Sequence, residues 1–180
     1  VTYVGMQFER DAAGMEVHQG DYVRELVLES LSHPDKIPVV DSSTIKAPLP
    51  EEVDMALEST YRKHAGWLGW SVKTQPRWRV FYDLLAKYSH QPSAKLLLSL
   101  RRVLTKMQQM GAERLKIRKV SGRPRLALFT DGGFEPSTGK RRLGFVIRLI
   151  SEAWKPGEDT DGPGANLLMF SSKPHKQVHV

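Results

Sequence analysis

The chain has 180 residues, 40% of them hydrophobic, which is enough to bury one sizeable core or two small ones, while no apolar run reaches the roughly 20 residues that span a bilayer and no signal-peptide pattern opens it. Cysteine is absent, which excludes disulfides, thiolate nucleophiles and cysteine-ligated zinc. The net charge of +7 hides a division: residues 1–60 carry −8, residues 61–120 carry +12 with only Asp83 and Glu113 as acids, and residues 121–180 carry +3.

In chain order, the alternation of Tyr3, Gly5, Gln7 and Glu9 with Val4, Met6 and Phe8 predicts a strand, and residues 11–14 supply the turn before a second strand over 15–18. Asp21 stands where an N-cap would, and Tyr22, Val23, Leu26, Val27 and Leu31 recur at helical spacing until His33 and Pro34 end the run. Residues 34–50, with four prolines and a Ser42-Ser43-Thr44 cluster, read as a linker. Helical spacing covers residues 51–110, interrupted at Thr74-Gln75-Pro76 and at Gln91-Pro92, so three helices are predicted. Gly66 and Gly69 are the positions where a second helix would approach the first closely. Beyond Gly111 the period becomes strand-like, over residues 125–130, 143–150 and 167–171, separated by loops. The six histidines have no metal-ligand spacing.

Two sets of residues carry chemistry. The basic middle calls for a polyanionic partner. Lys95, Arg102 and Lys106 fall at i, i+7 and i+11, on one helical face opposite the leucine stripe, with Arg101 beside them. Lys73, Arg77 and Arg79 bracket Pro76, with Trp78 as the aromatic expected to be exposed for base stacking. The second set is one residue, Asp131, read as ending an apolar strand and followed by Gly132-Gly133. A carboxylate on a stiff strand end suits a hard divalent cation, although Thr-Asp-Gly-Gly is also an ordinary turn.

In order, these segments resemble the copia-type retrotransposon Pol polyprotein. Tyr3 to Arg10 followed by Met15 to Val23 is similar to that family's hairpin and following helix at the end of the polymerase palm. Tyr61-Arg62-Lys63-His64-Ala65-Gly66-Trp67-Leu68-Gly69-Trp70, then Thr74-Gln75-Pro76, then Leu100-Arg101-Arg102-Val103-Leu104, resemble its "YR-x-x-x-G-x-L-x-Y", "TRPD" and "RVLRYLKGT" stretches. Leu128 to Phe134 resembles the first metal-binding strand of its ribonuclease H, and Leu168 to Lys176 its "I-S-W-S-S-K-[KR]-Q". Departures are Arg77 in place of the acid of "TRPD" and Gly133 where an acid or serine is usual. No Tyr-x-Asp-Asp occurs, and the chain stops before the family's acidic helix.

The resemblance implies an α+β chain: a palm-end β-hairpin and first thumb helix over 1–33, a linker over 34–50, a basic helical thumb and connection over 51–120, and over 121–180 the first half of a ribonuclease H-like α/β domain, an antiparallel three-strand meander. The first strand of that meander would have an open edge here. The implied parent is an RNA-directed DNA polymerase and hybrid ribonuclease. Asp131 would be the first ligand of a two-Mg²⁺ site, and the partners would be an RNA/DNA hybrid or template-primer duplex and the remaining Pol segments, in cytoplasm, virus-like particle or nucleus. One carboxylate cannot hold such a site, so the chain alone is expected to be inactive. A non-catalytic basic nucleic-acid-binding module, or a host protein derived from such an element and used for protein interaction, is the alternative.

Overall fold

The computed structural model describes residues 1–28, 41–135, 140–155 and 165–174. It is α+β, with two antiparallel sheets and several helices. Two compact units are present, the first comprising Val1–Phe8 and Val17–Arg114, the second Glu9–Glu16 and the described residues from Leu115 onward.

The first unit opens with β1 (Thr2–Tyr3), which turns back antiparallel onto β2 (Met6–Asp11) with Tyr3 opposite Met6. The single opening strand expected from the alternation is therefore broken at Val4-Gly5. Both residues have positive φ, +48° and +73°, the conformation a two-residue primed turn requires. Strand β3 (Gly14–His18) leads into α1 (Gly20–Glu25), a shorter helix than the spacing predicts, since Leu26 to Leu28 leave it; the rest of that run lies outside the described residues. Of the expected linker, residues 41–50 are described, and Ser42–Thr44 form a 3-10 turn capped by the Asp41 carboxylate.

The three helices divide at the predicted breaks, as α2 (Glu58–Ser71), α3 (Arg79–Ala86) and α4 (Ala94–Met110), although two 3-10 turns, Pro50–Glu52 and Met55–Leu57, precede α2. Pro76 starts a 3-10 turn that leads straight into α3, where a missing N–H costs nothing. The Ser93 hydroxyl caps α4 by accepting from the Leu96 amide. Leu96, Leu97, Leu100, Val103, Leu104 and Met107 form one buried stripe of α4, packed with Tyr61, Leu68, Leu85 and Trp78. At about 1.5–3 kcal/mol per buried large apolar side chain, this stripe outweighs any intrinsic helix preference. Gly69 fills its predicted role, because a Cβ there would stand 2.6 Å from the Tyr82 ring; Gly66 does not, having nothing within 4 Å. The Tyr61 hydroxyl donates to the Leu85 carbonyl at 2.8 Å, tying α2 to α3, and burial holds that phenol well above its usual pKa. Gln108 Nε2 donates to the carbonyls of Val23 and Leu26, both at 2.9 Å, which ties the end of α1 to α4.

In the second unit, the amides of Ala13 and Gly14 donate to Asp11 at the hairpin turn, and with the Arg118 guanidinium they hold its carboxyl below the usual carboxylate range. A short strand not expected from the sequence, β4 (Leu115–Arg118), lies beside β3, giving the order β1-β2-β3-β4. The Asn166 carboxamide accepts from the Arg118 amide at 2.6 Å and donates to its carbonyl at 2.8 Å, imitating a strand partner. The other sheet is the expected three-strand meander, β5 (Arg125–Glu135), β6 (Lys140–Ile150) and β7 (Ala165–Pro174), with β6 in the middle. Within it β5 is an edge strand, and Leu126, Leu128, Leu168 and Met169 are all more than half exposed. His175 and His179 lie outside the described residues.

Candidate nucleic-acid interface

Helix α4 brings Lys95, Arg102 and Lys106 to one face, because 17 residues of unbroken helix keep positions seven and eleven apart in line. The buried stripe on the other side fixes which way that face turns. Lys95 is exposed, Arg102 and Lys106 are half-buried, and among the described residues no carboxylate pairs with any of the three. Arg101 is half-buried beside them. Long cationic side chains whose stems lie along a helix and whose heads reach water can follow a phosphate backbone.

The cluster around Pro76 is different. Lys73 is exposed, but Arg77 is ion-paired with Glu113, and Arg79 bonds Asp83 at 2.9 Å and lies over the Tyr82 ring at 5.5 Å. Two of its three cations are thus ion-paired within the first unit, although Arg77, like Lys73, is exposed. Trp78 requires correction: expected on the surface for base stacking, it is 7% exposed and packs against Phe81 with ring centroids 5.9 Å apart. The start of α3 turns its indole inward, where its large apolar area is worth more than in water.

The same turn hides a polar cluster that the sequence reading missed. Gln19, Thr74 and Gln75 are each at most 2% exposed, and the Thr74 hydroxyl donates to Gln19 Oε1 at 2.8 Å. Neither polar atom of the Gln75 side chain has a partner among the described residues. A buried unsatisfied amide is costly, so Gln75→Leu, which keeps the volume and removes the polar atoms, is expected to be neutral or to stabilise by up to about 2 kcal/mol. Urea unfolding followed by tryptophan fluorescence checks this; a loss of stability would mean that Gln75 has a polar role.

Asp131 does not end its strand. It lies inside β5, opposite Gly144, because the pairing with β6 continues through Glu135 and the two glycines are taken up as extended chain instead of a turn. It is exposed. A two-Mg²⁺ site needs several oxygen ligands on a rigid frame, and among the described residues no group of three or more His, Asp or Glu side chains could hold a metal. Asp131 is one potential ligand and does not make that site, so no cleavage step follows from it. No helix among the described residues is long and apolar enough to cross a membrane.

Comparison of the chain with protein-family models, curated proteins and solved structures finds no match.

Proposed function

We propose that this chain is the duplex-holding part of a copia-type Pol polyprotein, gripping an RNA/DNA hybrid or template-primer through the cationic face of α4. The observation that carries the reading is the alignment of Lys95, Arg102 and Lys106 on one face of a single helix without carboxylate partners among the described residues. Lys73 is a further exposed cation of the first unit, whereas Arg77 and Arg79 are ion-paired and Trp78 is buried. Further support comes from the order of the family-like segments along the sequence. In this reading the second unit is part of a ribonuclease H-like domain. Asp131 contributes one carboxylate to a Mg²⁺ site whose other ligands belong to the parent polyprotein, and the chain alone binds but does not cut.

Binding of a labelled RNA/DNA hybrid, read by fluorescence anisotropy in Mg²⁺, tests this. Affinity is expected to fall steeply between about 50 and 200 mM salt, with a log–log slope near −3 if the three α4 cations each displace about one counterion. The hybrid is expected to stay intact over the same incubation. Salt-independent or undetectable binding would defeat the duplex-holding role, and cleavage abolished by Asp131→Asn would defeat the assignment of an incomplete site.

A further inference from the structure

In the second unit a basic stretch runs from β4 into the start of β5, and its cations are paired unequally. The Arg118 guanidinium meets Asp11 at 3.3 Å and Glu16 at 3.2 Å, and Arg125 meets Glu152 at 2.9 Å. Lys116, Lys119 and Arg123 are exposed, and among the described residues no carboxylate pairs with any of them. Their backbone is nevertheless held. The Asn166 carboxamide engages both polar backbone groups of Arg118, the Lys119 amide donates to the Ala13 carbonyl at 3.1 Å, and the Ser151 hydroxyl donates to the Ser121 carbonyl at 3.2 Å. Gly122 bends the chain at φ +71°, and Pro124 disfavours helical backbone at Arg123. The same Ser151 opens the turn that carries Trp154: its carbonyl accepts from the Trp154 amide at 3.1 Å, and the Trp154 indole meets the Phe129 ring edge to face at 6.1 Å. Phe129 stays 40% exposed on β5. One buried serine therefore joins a braced basic loop to a partly open aromatic ring.

We propose that this surface is a second nucleic-acid contact, selective for a single strand, with phosphates on Lys116, Lys119 and Arg123 and a base against Phe129. Three unpaired cations on a braced backbone meet a row of phosphates without giving up an internal partner and without ordering the chain that carries them. A single strand exposes the faces of its bases, and an aromatic side chain stacks on any of the four. A duplex keeps those faces against each other, and an acidic peptide has charge but no base. The contact goes beyond the α4 face, which belongs to the first unit and is read as holding duplex through cations alone.

Titrating the full chain into a labelled oligothymidylate of about 10 nucleotides, read by fluorescence anisotropy over a range of salt, is the test. Saturable binding is expected. The combined Lys116→Gln, Lys119→Gln and Arg123→Gln variant should weaken it at least about tenfold and reduce the log–log salt slope by about two, since each phosphate contact on a single strand contributes roughly 0.7. Phe129→Ala should weaken it about fivefold or more with the slope unchanged, because stacking displaces no counterion, and Phe129→Tyr should retain most of the affinity. All three cations are exposed, so their neutralisation leaves the packing intact and the charge measurement stands even if Phe129→Ala disturbs the sheet. The Lys95→Glu, Arg102→Glu and Lys106→Glu variant is expected to change oligothymidylate binding less than about threefold, and the second-unit variant to change hybrid binding no more than that, so the two contacts stand or fall separately. Competition by polyglutamate as effective as that by unlabelled oligothymidylate would overturn the nucleic-acid assignment. Binding indifferent to the three Gln substitutions, or equal loss of hybrid and oligothymidylate binding from them, would overturn the single-strand contact.

Discussion

Reversing the α4 cations together, as Lys95→Glu, Arg102→Glu and Lys106→Glu, is expected to weaken RNA/DNA-hybrid binding by more than about 100-fold near 0.1 M salt and to reduce the salt slope by about three. The size follows from counterion release. Each phosphate neutralised frees close to one condensed cation, so three contacts contribute on the order of two to three decades in affinity at that salt. The effect should be electrostatic and nothing else, because these side chains lie outside the buried stripe that holds the helix. The circular dichroism spectrum and unfolding midpoint should therefore stay close to those of the parent. Arg77→Glu supplies the contrast. Arg77 is paired with Glu113, so its reversal sets two acids side by side and is expected to lower stability more than it alters the slope. Equal loss of hybrid binding from Arg77→Glu and from the α4 variant would refute the placement of the interface on α4.

Leu104→Ala carries the largest expected effect on stability, about 2–5 kcal/mol. Leu104 is 0% exposed and packed in the cluster that joins α2, α3 and α4, so truncation removes its burial and leaves a space that the surrounding helices close only in part. Urea unfolding followed by tryptophan fluorescence reads this directly, because Trp67, Trp70 and Trp78 all belong to the first unit and only Trp154 to the second. The matching truncation Leu128→Ala on β5, where the side chain is 64% exposed, is expected to cost less than about 1 kcal/mol. If the two substitutions cost the same, the core has been placed in the wrong part of the chain. Hybrid binding by Leu104→Ala should weaken in parallel with the unfolded fraction, since the cations depend on that helix for their alignment.

Much of the secondary structure was legible in the residues. The apolar stripe of α4 has an unbroken helical period over 17 residues, and Pro76 and Pro92 punctuate the chain where α3 and α4 begin. The meander was visible as three β-rich runs, but its strands extend past them. Thr130-Asp131-Gly132-Gly133 has turn chemistry locally and is straightened by its ladder with β6, a partner the local pattern does not contain. Strand β4 was missed because Leu115–Arg118 is short and charged, and it is defined by pairing with β3, about a hundred residues earlier in the chain.

By itself the sequence determined where helices could form, where prolines had to end them, and that the middle of the chain carries an uncompensated positive charge, since all three depend on neighbours within a few turns. Tertiary structure alone decided which of those charges stay available. The Arg77 charge meets Glu113, 36 positions away in sequence, Trp78 turns inward onto Phe81, and Lys95, Arg102 and Lys106 are left without carboxylate partners among the described residues. The physical reason is that a helical period assigns a side chain to a face, but only the packing of other elements settles whether that face meets water, an opposite charge or the core.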